Sequence, residues 1–158
     1  MPDPLADQVI AKIGEAASLY NRLVLVVGPA GSGKTTALLE VGKRIGVPRL
    51  DVNLELSRRM LELTDGQRPI QVQQMLRDLI GEASTEVVLL DNIELLFDVS
   101  LKQDPLRLLQ GLSRAKTLVV AWPGTLHSGR LLYASPGHPQ YKEYQPEGAI
   151  LIETATTE

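Results

Sequence analysis

The run Gly28-Pro29-Ala30-Gly31-Ser32-Gly33-Lys34-Thr35 has the residue types and spacing of a loop that cradles a polyphosphate, G-x-x-x-x-G-K-[ST]. Gly28, Gly31 and Gly33 let the backbone turn tightly and approach a ligand without Cβ clashes. Pro29, Ala30 and Ser32 complete the loop. The backbone N–H groups of residues 31 to 35, at the start of a helix, then point at a β-phosphate, and the helix dipole assists. Lys34 has the reach for the β- and γ-phosphates, and the Thr35 hydroxyl is a ligand of the type Mg²⁺ prefers. Thr36, one residue on, falls near the α-phosphate. The expected ligand is a nucleoside triphosphate with Mg²⁺; ATP is carried forward, and nothing in the loop separates it from GTP.

A second chemical position is Asp91, which ends the apolar run Val87-Val88-Leu89-Leu90. A carboxylate at the C-terminal end of a strand beside a phosphate loop can hold Mg²⁺ directly or through water, the Walker B arrangement. The next residue is Asn92, whose amide can orient water but cannot take its proton at neutral pH. Glu94 is the nearby carboxylate. It either activates the attacking water, or is a solvated glutamate at a helix start, where the dipole favours it.

These side chains need strands and helices to bring them together. Leu23-Val24-Leu25-Val26-Val27 and Thr117-Leu118-Val119-Val120-Ala121-Trp122 are unbroken apolar or near-apolar runs, as suits strands buried on both faces. Arg49 to Leu54 alternates polar and apolar residues, which predicts a further strand, with Asn53 as the cap of a short helix through Leu56, Met60 and Leu63, closed by Asp65-Gly66. Asp3-Pro4 and Asp104-Pro105 read as N-caps followed by a first-turn proline. Helices are expected over Leu5 to Tyr20, from Thr36 to Arg44 before Gly46, from Pro69 to Gly81, and over Leu106 to Leu112. Residues 123–147, rich in Gly, Pro, His and Tyr without a clear period, are expected to be loop, and Gly148 to Ile152 a last strand. Strands alternating with helices predict an α/β fold in one domain over residues 1–158, a mostly parallel sheet flanked by helices.

With one strand in sequence between the phosphate loop and Asp91, the core resembles the P-loop NTPase class in which an extra strand separates the two motifs, the class of the AAA+ ATPases. That resemblance implies a glutamate directly after Asp91, where this chain has Asn92. It implies a polar sensor residue at the end of a neighbouring strand, for which Thr125 is the candidate beside Trp122, itself a packing residue or a platform for a base. It also implies a C-terminal helical lid, for which the sequence to residue 158 leaves no room, so any lid-borne sensor arginine is expected to be absent or supplied by a partner. Longer stretches are more specific: Val52 to Arg59, Val88 to Phe97, Lys102 to Arg114, Ala121-Trp122 and Pro136-Gly137-His138-Pro139. They resemble the BrxF family, small P-loop proteins of type 3 BREX phage-defence systems. The resemblance implies a bacterial or archaeal cytoplasm and a multi-protein system that methylates host DNA and blocks phage replication, with other BREX proteins as partners.

Composition bounds the rest. The chain has 158 residues, 44% hydrophobic, with a formal net charge of −3 and no cysteine. Disulfides and thiolate chemistry are therefore absent, and the net charge offers no general attraction for DNA. No run approaches a membrane span, and the acidic, proline-containing start does not read as a signal peptide, so a cytoplasmic protein is expected. Arg44, Arg58 and Arg59 form a basic edge for nucleic acid or a solvated face. Arg114 is either a partner of the dipole at its helix C-terminus or an arginine finger across a subunit interface, and Arg130 is a further finger candidate. His127 and His138 are read as loop residues, and Tyr133, Tyr141 and Tyr144 as a partner surface or as pins for their own segment. The expected function is ATP binding with slow or partner-stimulated hydrolysis. Its alternatives are a non-hydrolysing adaptor, in which nucleotide orders residues 123–147 for a partner protein or for assembly into a homo-oligomeric ring, and a small-molecule kinase, for which no arginine-rich lid segment is evident.

Overall fold

Apolar strands flanked by amphipathic helices assemble as the periodicity requires. The computed structural model describes residues 3–133, 142–145 and 147–154. Helix α1 (Pro4–Ala16) precedes strand β1 (Leu23–Val27), and the phosphate loop leads into α2 (Lys34–Ile45). Then follow β2 (Arg49–Asp51), α3 (Val52–Met60), α4 (Arg68–Gly81), β3 (Val87–Asp91), two short 3-10 turns (Glu94–Phe97 and Val99–Leu101), α5 (Pro105–Leu112) and β4 (Thr117–Trp122). Strands β5 (Gly124–His127), β6 (Arg130–Tyr133), β7 (Lys142–Tyr144) and β8 (Ile150–Glu153) complete the order. The main sheet runs β2-β3-β4-β1-β8, and every pairing in it is parallel.

The fold is the α/β, P-loop type expected, but the separating strand is a different one. The strand inserted between the phosphate-loop strand β1 and the Asp91 strand β3 is β4, which comes after both in sequence. Strand β2, the one that lies between them in sequence, sits at the sheet edge beside β3. Its apolar alternation is shorter than expected because Asp51 ends it: that carboxylate accepts the Leu54 N–H at 3.1 Å and caps α3. Asn53 is thus inside the helix rather than its cap.

Alternation along the strands sorts the core into two faces. Leu23, Leu25, Val27, Val88, Leu90, Leu118, Val120 and Trp122 bury against α3, α4, α5 and the 3-10 turns. Val24, Val26, Leu89, Val119 and Ala121 bury against α1 and α2. Asp91 follows Leu89 by two residues and so projects on the α2 face, toward the phosphate loop.

The expectation of a loop over residues 123–147 is corrected. Its described part is a three-stranded antiparallel sheet, β5-β6-β7. Ser128 and Gly129 take φ of 50° and 79° between the paired residues His127 and Arg130. Two positive φ values make the primed hairpin turn whose twist matches its strands. The Ser-Gly dipeptide flanked by short apolar stretches carried that signal. Gly124 admits no side chain, since a Cβ there would lie 1.8 Å from the Leu132 carbonyl oxygen. Pro136 to Pro139, His138 and Tyr141 lie outside the described residues.

Tyr133 and Tyr144 pin this sheet to the core instead of forming a free surface. Tyr133 stacks on Phe97 at 3.9 Å, and Trp122 meets Phe97 and Tyr144 edge-on at 5.1 and 5.3 Å. Burial, with smaller contributions from Asp104 and Tyr133, pushes the Tyr144 hydroxyl up to about 12. That hydroxyl has no hydrogen-bond partner among the described residues. A raised folded-state pKa contributes stability that is complete below pH ~10, the unfolded value, and is lost as pH rises through the folded one. Tyr144→Phe is therefore expected to be neutral or to stabilise by up to about 1 kcal/mol at pH 7. It should also lose less stability than the wild type between pH 8 and 11, as read from urea midpoints. An equal loss in both proteins would contradict this account.

Candidate nucleotide site

Strand β1 feeds the loop out of the sheet at Gly28. Its N–H donates to the Trp122 carbonyl at 3.5 Å, and a Cβ at Gly28 would lie 2.1 Å from Thr154 Oγ1 and 2.6 Å from Ser32 Oγ. Gly31 and Gly33 have φ of 79° and 96°, the left-handed region. Ser32 N–H donates to the Pro29 carbonyl at 3.2 Å, tightening the turn. Gly33 is the N-cap of α2 and has no side chain to cap it, so the N–H groups of the first turn remain available to an anion.

Ala30, Gly31, Gly33, Lys34, Thr35, Thr36, Asp91, Asn92 and Glu94 line one cavity of about 320 Å³, together with Ala121. Most of the expected site residues are thus brought together. Gly28, Pro29 and Ser32 are not lining residues; they shape the loop from behind. Lys34 Nζ donates to the Gly28 carbonyl and, at 3.0 Å, to the Pro29 carbonyl. Burial lowers the Lys34 pKa, and the nearby carboxylates of Glu94 and Asp91 oppose that shift. Reaching a terminal phosphate requires this ammonium to exchange its carbonyl partners for phosphate oxygens.

Asp91 is 3% exposed and fully engaged. Its Oδ2 accepts Thr35 Oγ1–H at 2.7 Å, and its Oδ1 accepts the Asn92 N–H at 2.9 Å. A hydroxyl and a carboxylate placed together at a helix start supply the hard oxygens that Mg²⁺ favours, so the donor set fits that ion. Among the described residues no group of three or more His, Cys, Asp or Glu could hold a metal alone. Coordination at this site would therefore draw on ligand or water oxygens besides Thr35 and Asp91.

Asn92 has φ 54°, an unusual conformation for which asparagine is well suited. It turns the chain out of β3 so that Glu94 begins the first 3-10 turn at the cavity rim. Asn53 fixes that turn three times. Its backbone N–H donates to the Asn92 carbonyl at 2.8 Å, its Nδ2 donates to Glu94 Oε2 at 2.7 Å, and its Oδ1 accepts the Leu95 N–H at 2.8 Å. Glu94 is therefore both cavity-lining and restrained.

The sequence reading missed Arg49, Asn53, Ala121 and Thr154. Arg49 and Asn53 could have been suspected from the polar positions of the alternating Arg49–Leu54 segment. Which strand they faced depended on sheet order. Thr125 is exposed on β5 and does not line the cavity, so it is not the sensor expected. Trp122 is fully buried on the opposite face and cannot stack on a base there. Arg44 pairs with Asp7 and Glu40, Arg58 with Glu55 and Arg59 with Glu82, so the basic edge is largely neutralised. Arg130 pairs with Glu143, and the Arg114 guanidinium lies 4.8 Å over the Tyr20 ring. His127 lies on β5. No helix among the described residues is long and apolar enough to cross a membrane.

A family model described as "ATPase family associated with various cellular activities (AAA)" matches residues 24–120, which span β1 through most of β4 and include both motifs. Among solved structures the chain is similar to that of C. elegans PCH-2, at 18% identity and a TM-score of 0.55. That alignment covers 100% of this chain and 45% of the other, so the chain spans less than half of the protein it matches. The likeness is one of fold. No curated protein matches in sequence.

Proposed function

The chain belongs to the AAA family of ATPases, and from that premise we propose that it binds ATP with Mg²⁺ and hydrolyses it slowly or on stimulation by a partner. The observation that carries the reading is the single cavity uniting the glycine loop, Lys34, Thr35, Asp91 and Glu94. The N–H groups at the start of α2 and the Lys34 ammonium would hold the phosphates, and Thr35 and Asp91 would hold the ion. Bound Mg²⁺ would supply charge neutralisation at the phosphate oxygens. Glu94 would accept a proton from water once Asn53 released it, while Asn92 positions the turn. Steady-state ATP turnover by the purified chain, compared with Asp91→Asn, tests this; equal rates would defeat it.

The restraint on Glu94 gives a sharper expectation. Asn53→Ala removes the Nδ2–H donor that holds the carboxylate away from its task. Turnover should rise several-fold, part of the ~10²–10⁴ that a positioned general base contributes. ATP affinity should stay within about twofold, since Asn53 does not line the cavity. A lower rate at unchanged affinity would instead mean that Asn53 positions Glu94 productively.

The biological setting proposed is a BREX-type antiviral defence system in a bacterial or archaeal cytoplasm, acting with other BREX proteins. The stretches Val52 to Arg59, Val88 to Phe97 and Lys102 to Arg114 support it by resemblance. Phage challenge of cells carrying the system with wild-type or Lys34→Ala protein tests it; unchanged protection would count against it. A second reading is a non-hydrolysing adaptor that assembles with nucleotide, favoured by Asn92 in place of a carboxylate and by the restraint on Glu94. Sedimentation with and without ATP separates the two readings: ATP-driven assembly without turnover supports the adaptor.

A further inference from the structure

Arg49 belongs to neither nucleotide motif, yet its guanidinium is bound to the carboxylate of one of them. Its Nε donates to Asp91 Oδ2 at 3.0 Å, and its Nη2 lies 2.9 Å from the same oxygen in an ion pair. Strand β2 makes this contact by position: Arg49 pairs with Leu89 in the β3 register, two residues before Asp91 and on the same face. The Asp91 side chain is 4% exposed and that of Arg49 23%, so solvent screens this pair much less than a surface pair.

The consequence lies in the charge of the metal corner. A guanidinium keeps its charge in a protein, so Arg49 offsets the negative charge of the Asp91 carboxylate it is paired with. Thr35 contributes a neutral hydroxyl, and the Lys34 ammonium adds positive charge to the same cavity. Glu94 accepts the Asn53 amide at the rim. A bare divalent cation entering here meets a carboxylate already neutralised and already accepting from three donor groups. The same cation carried by a triphosphate arrives with excess negative charge, which Lys34 and the start of α2 attract.

We propose that Arg49 is a specificity-determining residue of this site, a built-in cation that refuses bare divalent metal and selects the metal–nucleoside triphosphate complex. The proposal rests on the nucleotide-binding reading and adds to it which species enters. It also places Arg49 as the competitor that Asp91 must partly release, or that leaves the carboxylate to act through water.

Mn²⁺ binding to the full chain without nucleotide, followed by the electron paramagnetic resonance signal of free Mn²⁺, tests it. The wild type should show no saturable binding below about 1 mM, a weak-site value. Arg49→Met should bind at least about tenfold more tightly, because a unit charge within hydrogen-bonding distance of the ligand has gone. Arg49→Lys, which keeps the charge while changing shape, should behave as the wild type; a merely structural Arg49 would make both variants alike. Thermal midpoints should rise with Mn²⁺ for Arg49→Met only. Equal Mn²⁺ affinities in wild type and Arg49→Met would overturn the proposal. If Arg49→Met does not fold, the wild type decides: saturable Mn²⁺ binding well below 1 mM that Asp91→Asn removes overturns it, and its absence supports it. A parallel titration with Mn·ATP keeps the two ideas apart. Failure of the wild type to bind Mn·ATP would refute nucleotide binding itself, whereas Mn·ATP binding with bare Mn²⁺ held equally by all variants refutes only the role of Arg49.

Discussion

Lys34→Ala is expected to weaken Mg·ATP binding by about 100-fold or more, while the far-ultraviolet circular dichroism spectrum stays unchanged. The magnitude follows from what the ammonium can do at this position. Hydrogen bonds to charged groups contribute about 1.5–3 kcal/mol each, and Lys34 can address more than one phosphate oxygen. Its present partners are the Gly28 and Pro29 carbonyls, so the side chain also ties the loop across its own mouth. Removing it takes away a phosphate donor and leaves two carbonyls to water at once. The fold should tolerate the change, because Lys34 opens α2 at the solvent-facing end of the loop and belongs to neither core face. Isothermal titration with Mg·ATP reads the effect. Micromolar affinity retained in the variant would remove Lys34, and with it the phosphate-loop assignment, from the account.

Much of this site was legible in the sequence because its chemistry is local. A glycine loop between an apolar strand and a helix needs only neighbouring residues to form, and so does a strand that ends in Asp91. The second ring of interactions is not local. Arg49 and Asn53 act on Asp91 and Glu94 across 42 and 41 positions of chain. Their meaning depends on β2 docking at the edge beside β3. Sequence order alone placed β2 between the two motifs, whereas β4 takes that place, because parallel neighbours in a sheet need not be neighbours in sequence. The small sheet was missed for a different reason. Its strands are three or four residues long, too short for alternation to stand out, and its one sharp marker is the Ser128-Gly129 turn. Trp122 was ambiguous for the same kind of reason: at a strand end its side chain goes to one face or the other, and only the register with Val27 decides which.

That choice of face makes Trp122 the residue whose loss should cost the fold most. Trp122→Ala is expected to destabilise the protein by about 3–5 kcal/mol, the range for truncating a large buried aromatic. The indole is fully buried, meets Phe97 and Tyr144 edge-on, and donates its Nε1–H to the Leu132 carbonyl at 3.3 Å. One side chain thereby joins the main sheet, the 3-10 turn that carries Glu94, and strand β6 of the small sheet. Domains of this size are stable by about 5–15 kcal/mol, so the variant should remain folded at 25 °C with little margin. Urea unfolding followed by circular dichroism measures the loss. Trp122→Phe separates the contributions, since it keeps most of the packing while leaving the Leu132 carbonyl without its indole donor. It should cost clearly less than Trp122→Ala. The site should feel the larger substitution, because the Trp122 carbonyl receives the Gly28 N–H and the Phe97 ring closes the turn that begins at Glu94. Weaker ATP binding in Trp122→Ala under conditions where it is fully folded would show that coupling directly. A loss below about 1 kcal/mol would mean that the small sheet and the core are held together elsewhere, and that the aromatic cluster is incidental to both.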